Sequence, residues 1–227
     1  MSTGISQRPT ETDVGERGLR VDAVRNRERI IEVARELFAE RGLDVPMATI
    51  ARHSGVGVAT LYRRFPTKEA LVTEVFAEEF AACMSIVDKA LADPDPWQGF
   101  RFFIETVCAM QACDRGFSAA FVAAFPVGED IVRRRNHAIR GFAELTRRAQ
   151  ASGGLRADFV PDDLFLLLRA NYGVVAAGIE STEAASRRLA AYLLDAVSAH
   201  GSRTSAPLPR PIPVRLHEVL CPRDSAR

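Results

Sequence analysis

Apolar residues recur at helical spacing in one segment after another of this 227-residue chain, and glycine or proline separates the segments. The first segment, 26–40, places Ile30, Ala34, Leu37 and Phe38 along one face, with Glu and Arg residues on the other. Spacing of three and four residues is typical of an amphipathic helix, whereas a half-buried strand alternates every second residue. No segment alternates convincingly in that way. The chain is therefore predicted to be all-α.

Turn-forming residues set the bounds of the other predicted helices. These cover about 46–54, 58–65, 67–92, 97–114, 117–125, 129–152, 161–178 and 182–200. Residues 1–20 mix Gly, Ser, Thr, Pro and both charge signs without apolar periodicity, and residues 201–227 are rich in Pro and Arg. Both ends are predicted to be disordered, and 214–220 is the one piece of the C-terminal tail that could pack on the fold.

The composition excludes several classes of protein. Apolar residues make up 47% of the chain and charged residues 26%, which is typical of a globular protein. There is no apolar run of membrane-spanning length and no secretory signal pattern, so a cytoplasmic protein without a membrane partner is predicted. The four cysteines have neither metal-ligand spacing nor the density of a disulfide framework, and neither a metal nor a cofactor is predicted.

The charged side chains of segment 45–68 are all basic. It contains no Asp or Glu, and its basic side chains are Arg52, His53, Arg63, Arg64 and Lys68. With a net charge of only +1 for the chain, attraction for a polyanion must come from such local clustering. Two short helices around the Gly55-Val56-Gly57 turn suit a helix-turn-helix, whose second helix enters the major groove of DNA. For Arg52 and His53, an inert exposed helix face is an equally good interpretation.

Four stretches resemble the DNA-binding signature of the TetR family of transcriptional regulators: ARELFAERG at 34–42, IA at 50–51, GV at 55–56 and TLYRRFPTKEAL at 60–71. The resemblance covers about residues 24–75. It implies a helix-turn-helix domain at 21–70, with the motif at about 46–65, and a helical regulatory and dimerisation domain at 71–200. It also implies a repressor that a small apolar or amphipathic ligand releases from a palindromic operator in double-stranded DNA. The alternative is a C-terminal domain that only dimerises or binds protein, without a ligand.

The resemblance further implies which side chains meet the DNA. Val58 and Ala59 lie nearest the bases, Thr60, Tyr62 and Arg64 face the backbone, Lys68 contacts a phosphate, and Arg63 is a further candidate. Two departures bear on specificity: Pro46 stands where the family often has a capping Thr, and Gly57-Val58 where Ser-Lys is common. Val58 can contact a thymine methyl group but cannot hydrogen-bond to a base. Arg25 and Arg27 are either a basic arm or solvated charges.

In the second domain, six side chains are candidates for a ligand pocket, with ordinary core packing as the alternative for each: Phe103, Met110, Phe121, Phe125, Phe142 and Tyr172. The run Arg133-Arg134-Arg135 is either a solvated helix face or a carboxylate-binding group inside a pocket. The resemblance implies a homodimer through the last two helices, at about 161–178 and 182–200. Two copies make physical sense because one short recognition helix gives limited affinity.

An enzyme is the competing class. It would use Cys108 or Cys113 with one of His53, His137 or His200. The sequence has no nucleophile elbow, glycine-rich phosphate loop or HExxH motif to support such chemistry. A protein that is not an enzyme is therefore predicted.

Overall fold

The computed structural model describes the backbone of residues 11–123, 129–177 and 181–199, and the side chains of 24–122, 133–177 and 181–199. Over these residues the chain forms α1 (Glu11–Arg41), α2 (Met47–His53), α3 (Val58–Arg64), α4 (Lys68–Val75), α5 (Ala77–Leu91), α6 (Pro96–Cys113), α7 (Arg115–Ala123), α8 (Glu129–Ala151), α9 (Asp163–Ala176) and α10 (Thr182–Val197). A single bridge between Leu155 and Ser198 is the one strand-like pairing within them. The predicted all-α class is confirmed.

The first helix is longer than its apolar pattern indicated. It begins at Glu11, whereas the sequence predicted a helix from Asn26 and disorder over 1–20. Once 26–40 forms a helix, each added residue gains one backbone hydrogen bond without a new nucleation cost, so the extension needs no apolar face of its own. Residues 11–20, for which the sequence predicts disorder, are thus part of α1 in this structure, and residues 1–10 lie outside the described part of the chain.

The predicted helix 67–92 is broken at Phe76. This residue has φ −113° and ψ 23°, between α4 and α5. Its ring is fully buried, 6.3 Å from the ring of Phe38 and 6.2 Å from that of Phe117. The guanidinium of Arg35 donates a hydrogen bond to the carbonyl of Val75, which compensates for the helical bond lost at the break. Tertiary packing, which apolar periodicity does not reveal, therefore ends α4 here.

The second part of the fold is built around α5, α6 and α8, with α9 and α10 packed on α6. The rings of Phe103 and Phe142 lie 4.8 Å apart at the centre of this core. A buried polar cluster joins α6, α9 and α10: Asn171 Nδ2 donates to the carbonyl of Cys108 at 3.1 Å, and Ser186 Oγ donates to Asn171 Oδ1 at 2.7 Å. Such satisfied buried bonds favour one register of packed helices over others.

Helix ends from α6 to α10 agree with the sequence prediction to within three residues at each end. None of the helices in the described ranges has the length and apolar character needed to cross a membrane. The tail 201–227, with its segment 214–220, lies outside the described residues, as does Phe125.

Candidate nucleic-acid interface and regulatory cavity

The turn between α2 and α3 is fixed by backbone geometry. Gly55 has φ +67°, a left-handed conformation that favours glycine over any residue with a Cβ. The amide of Val56 donates to the carbonyl of Ala51 at 3.0 Å. The buried hydroxyl of Ser54 donates to the carbonyl of Ile50 at 2.6 Å. These bonds hold α3 at a set angle to α2, as a helix-turn-helix requires.

Helix α3 has one buried and one exposed face. Leu61 is fully buried and Phe65 is 3% exposed, and both join a core that includes Ile50 and α1. The opposite face holds the side chains predicted to lie near DNA. Val58 and Tyr62 are 43% and 46% exposed, Ala59, Arg63 and Arg64 are exposed, and Thr60 is half-buried. This face is free to meet a partner, because the apolar residues that anchor the helix point the other way.

Lys68 lies at the start of α4, beside the end of α3. The hydroxyl of Thr67 caps α4 by accepting from the amide of Ala70 at 3.1 Å. Lys68 is the first residue of that helix and is half-buried. A helix N-terminus attracts phosphate, and a cation there adds to the attraction. Pro46 occupies the corresponding position before α2 and makes no side-chain cap.

Replacing Thr67 by Ala should lower the free energy of unfolding by about 1 kcal/mol, because the capping acceptor is lost. Urea titration followed by circular dichroism measures the change. The matched variant Thr67→Ser keeps the hydroxyl and should stay within about 0.5 kcal/mol of the parent. Equal stability of all three proteins would contradict the capping role.

The arginines of α1 near the motif differ in how far the fold engages their side chains. Arg27 Nη2 lies 2.5 Å from Glu74 Oε1, and its guanidinium stacks over the ring of Phe65 at 5.8 Å. Arg27 therefore ties α1 to α4 and to the end of α3, which favours a structural role over a mobile arm. Arg25 is exposed, and the exposed Arg29 places its guanidinium over Gly55. The sequence analysis missed Arg29, because only the fold brings α1 against the turn.

Arg52 and His53 end α2 on the exposed surface. The ring of His53 is engaged locally, with Nδ1 2.8 Å from the carbonyl oxygen of Thr49. Both alternatives for these residues stay open, since exposure suits an inert helix face and a DNA contact equally.

Arg35 links the helix-turn-helix part to the rest of the protein. Its guanidinium bonds to Glu79 on α5, lies 3.5 Å from Asp114 between α6 and α7, and stacks over Phe76 at 5.3 Å. The hydrogen bond to Glu79 raises the pKa of Arg35 above its ordinary value. A permanent positive charge in α1 is thus held by carboxylates of the second domain.

A small apolar cavity lies among α5 to α9, with a volume of about 60 Å³. It brings together three of the predicted pocket residues, Phe103, Phe121 and Phe142. The remaining lining comes from Cys83, Met84, Arg135, Ala138, Ile139, Leu164 and Leu168. Small-molecule sites usually measure about 300 Å³ or more, so this space alone is too small for a typical ligand.

Met110 and Tyr172 do not line this cavity. Met110 is seven residues beyond Phe103, about 10 Å further along α6. Tyr172 follows Leu168 by four residues, about one turn further along α9. Helical periodicity predicts which side of each helix these residues occupy but not how far the cavity extends along the helix. Phe125 lies outside the described residues.

The last two helices have an exposed face that differs from their apolar stripe. Leu164, Leu167, Leu168, Asn171 and Val175 point into the chain's own core. On the opposite face, Leu166 is 45% exposed and Tyr192 of α10 is 58% exposed. Ala170 and Gly173 lie beside Leu166 on α9, and a Cβ added at Gly173 would meet no atom within 4 Å. Small residues beside large apolar ones allow another helix to approach closely.

Of the two cysteines considered for an enzyme, Cys113 is exposed and Cys108 is buried. Cys108 is 1% exposed, and burial raises the pKa of its thiol to about 12. Catalysis requires the thiolate, so this group is protonated at neutral pH. His137 pairs with Asp88, at 2.6 Å between Nε2 and Oδ1, and His200 lies outside the described residues.

Comparison with known proteins agrees with this geometry. Residues 30–75 match the model for bacterial regulatory proteins of the tetR family. An HTH-type transcriptional regulator of Staphylococcus aureus is 46% identical over 54 residues, which are 23% of this chain and 29% of that protein. The chain thus matches less than a third of the length of its curated relatives.

Two solved structures are also similar to this chain. A TetR transcription regulatory protein from Mycobacterium vanbaalenii is 32% identical, over 79% of this chain and 99% of that one, with a TM-score of 0.42. The ketosteroid regulator KstR2 of Mycobacterium tuberculosis is 18% identical, over 76% of this chain and 94% of that one, with a TM-score of 0.56. The likeness to KstR2 shows a shared fold, whereas the family match and the 32% sequence identity indicate common ancestry. The chain therefore belongs to the TetR family of bacterial regulatory proteins.

Proposed function

We propose that the protein is a DNA-binding transcriptional repressor whose homodimer places the two copies of α3 in successive major grooves of a palindromic operator. One observation carries the proposal: the exposed face of α3 belongs to a segment, 45–68, without any acidic residue. A helix of this size fits the major groove, and two-fold symmetry sets half-sites about 34–36 Å apart or at a multiple of that spacing.

The contacts divide into two kinds. The small side chains of Val58 and Ala59, at the first turn of α3, allow close approach to base edges and can contact thymine methyl groups. Thr60, Tyr62, Arg63, Arg64 and Lys68 supply hydroxyl or cationic donors for phosphates. Phosphate contacts fix position and base contacts select sequence. A site with few polar groups at the bases should therefore select chiefly by shape and methyl contacts.

Dimerisation is proposed through the exposed face of α9 and α10. Leu166 and Tyr192 are large apolar groups open to solvent, and Ala170 and Gly173 permit close helix packing. Two such pairs related by a two-fold axis form a four-helix interface that buries these side chains.

Control by a small ligand is the remaining part of the proposal. Ring contacts run from Phe38 of α1 through Phe76 and Phe117 to Phe121, with centroids 6.3, 6.2 and 5.5 Å apart. Phe121 lines the apolar cavity. A ligand that changed the packing there would act on α1 through these rings and through Arg35. The cavity measures only about 60 Å³, so such a ligand would also occupy neighbouring space. A second domain without a ligand is the alternative.

Lys68→Ala tests the phosphate contacts. The affinity for duplex DNA should fall several-fold, and the slope of log K against log salt should fall by about 2, since each subunit loses one phosphate contact. Fluorescence anisotropy over a salt series measures both quantities. Lys89→Ala is the matched control, because Lys89 is the only other lysine in the chain and lies in the last turn of α5. Equal salt slopes for the two variants would place the lysine away from phosphate.

A further inference from the structure

A surface groove follows the contact between α6 and α10. It consists of three adjoining stretches with volumes of about 250, 450 and 470 Å³. Ala191 lines the first two stretches and Arg187 lines the last two, so the groove is continuous. From Trp97 at one end to Ala112 at the other, α6 rises about 22 Å.

The walls of this groove suit an extended chain. At one end the ring of Trp97 is half-buried. Phe102, one turn before the lining residue Thr106, is 40% exposed. Small side chains line the middle and the other end: Ala109, Ala112, Ala184, Ala190 and Ala191. Grooves with exposed aromatic rings bind proline-rich segments in the polyproline II conformation, because such segments lose little conformational entropy on binding.

The chain leaves α10 at the Trp97 end of the groove. Ser198 lines the same stretch as Trp97. The amide of Ala199 donates to the carbonyl of Gly154 at 2.9 Å, and a Cβ at Gly154 would lie 2.5 Å from Trp97 Cβ. The residues after Ala199 are therefore tethered beside the groove, at an effective concentration on the order of millimolar.

A segment of matching length follows in the sequence. Residues 207–213 are Pro-Leu-Pro-Arg-Pro-Ile-Pro. Alternating prolines favour the polyproline II conformation, in which seven residues extend about 22 Å. Residues 200–206 can span up to about 23 Å, which is enough for the chain to turn back toward the groove.

Groove and tail also have complementary charge. The charged lining residues of the groove are Arg101, Glu105, Glu183, Arg187 and Asp195. Carboxylates therefore outnumber guanidinium groups, and Arg101 is itself bonded to Glu105 at 3.2 Å. Residues 201–227 contain five arginines but only two acidic residues, Glu218 and Asp224. Complementary charge favours the correct partner and its orientation.

We propose that residues 207–213 of the chain's own C-terminal tail bind in the groove between α6 and α10, running from Trp97 toward Ala112. Leu208 and Ile212 supply apolar side chains for the alanine wall, and Arg210 supplies a cation for the carboxylates. The inference does not depend on the proposed function, because it concerns how the chain binds its own tail.

Trp97 reports on the groove directly, because it is the only tryptophan in the chain. Removal of residues 201–227 should leave the ring open to solvent. The Stern–Volmer constant for acrylamide quenching should rise about twofold over that of the full chain, because a tethered tail covers the ring most of the time. The emission maximum should also shift to longer wavelength.

Two full-length variants test how the tail binds. Replacing Pro207, Pro209, Pro211 and Pro213 by Ser keeps the length of the tail but removes its polyproline II preference, and should expose Trp97 as truncation does. Ala109→Arg places a long cation in the groove about 18 Å along α6 from Trp97. At that distance it can change the quenching of the ring only by displacing the tail.

Ala82→Arg is the matched control, since Ala82 is exposed on α5 and does not line the groove. Its quenching should equal that of the parent. Circular dichroism checks that each variant keeps the helix content of the parent, so that a change in quenching reports on the tail.

Equal quenching of the full and the truncated chain would overturn the inference, as would parent-like quenching of the Ala109→Arg variant. Protection of Trp97 that disappears on dilution, together with a fall in mass by light scattering, would assign the groove to a second copy of the chain. Protection that is independent of concentration and is lost in the truncated chain and in both full-length variants supports binding of the tail.

Discussion

Ala59→Glu should abolish specific DNA binding, with a loss of affinity of at least about 100-fold. The side chain is exposed on the first turn of α3, in a segment without acidic residues. A carboxylate there would face the phosphates and base edges of the major groove, and like charges brought together at an interface cost several kcal/mol. Because both subunits of a dimer carry the change, binding free energy is lost at both recognition helices. Anisotropy on operator DNA measures it.

The fold should tolerate this substitution. Glu is a good helix former, and the position makes no core contact. Ala82→Glu is the matched control, since Ala82 is exposed in the middle of α5, outside the helix-turn-helix. It should bind DNA as the parent does. Retention of tight binding by the Ala59 variant would show that α3 does not enter the groove.

Gly173→Trp should convert the dimer to a monomer and weaken DNA binding by at least about 100-fold. A side chain at Gly173 has open space in the single chain, so the monomer can fold, and replacing a helical glycine does not cost helix stability. In the proposed dimer the partner helix would occupy this space, and an indole ring would separate the two copies. Loss of the second recognition helix removes the gain from bivalent binding, which is commonly 10²–10⁴.

Light scattering after size-exclusion chromatography measures the first effect. Light scattering should give the mass of one chain, 24.9 kDa, for the variant and twice that mass for the parent. Ala82→Trp places the same ring on an exposed helix face remote from α9 and should stay dimeric. A dimeric Gly173 variant with normal DNA affinity would place the interface elsewhere on the molecule.

The helix-turn-helix could be predicted from local sequence patterns because its core is built from residues close together in sequence. Leu61 in α3 and Phe65 directly after it are four residues apart, so their spacing alone predicts which face is buried and which is left for DNA. Gly55 similarly marks the turn, because few other residues adopt its backbone angles. The family assignment rested on these same residues and is confirmed, whereas the individual DNA contacts stay predictions.

Features that depend on contacts between distant residues could not be predicted. Phe76 ends a helix because Arg35, about forty positions earlier, bonds to the carbonyl beside it. The resemblance assigns α9 to a dimer interface, but its residues Leu164, Leu167 and Leu168 fill the chain's own core, and fewer large apolar groups lie on its exposed face. In the run of three arginines, Arg133 and Arg134 are exposed and Arg135 is buried. Only the phase of α8 against α5 decides this.

The most direct test of the central claim is selection of duplexes from a random library by the purified parent protein, followed by anisotropy on the enriched sequence. The account predicts enrichment of a two-fold symmetric sequence. It should bind at least about 10³-fold more tightly than random DNA of equal length, with strong salt dependence. Failure to enrich any sequence, or equal affinity for selected and random duplexes, would contradict a sequence-specific regulator.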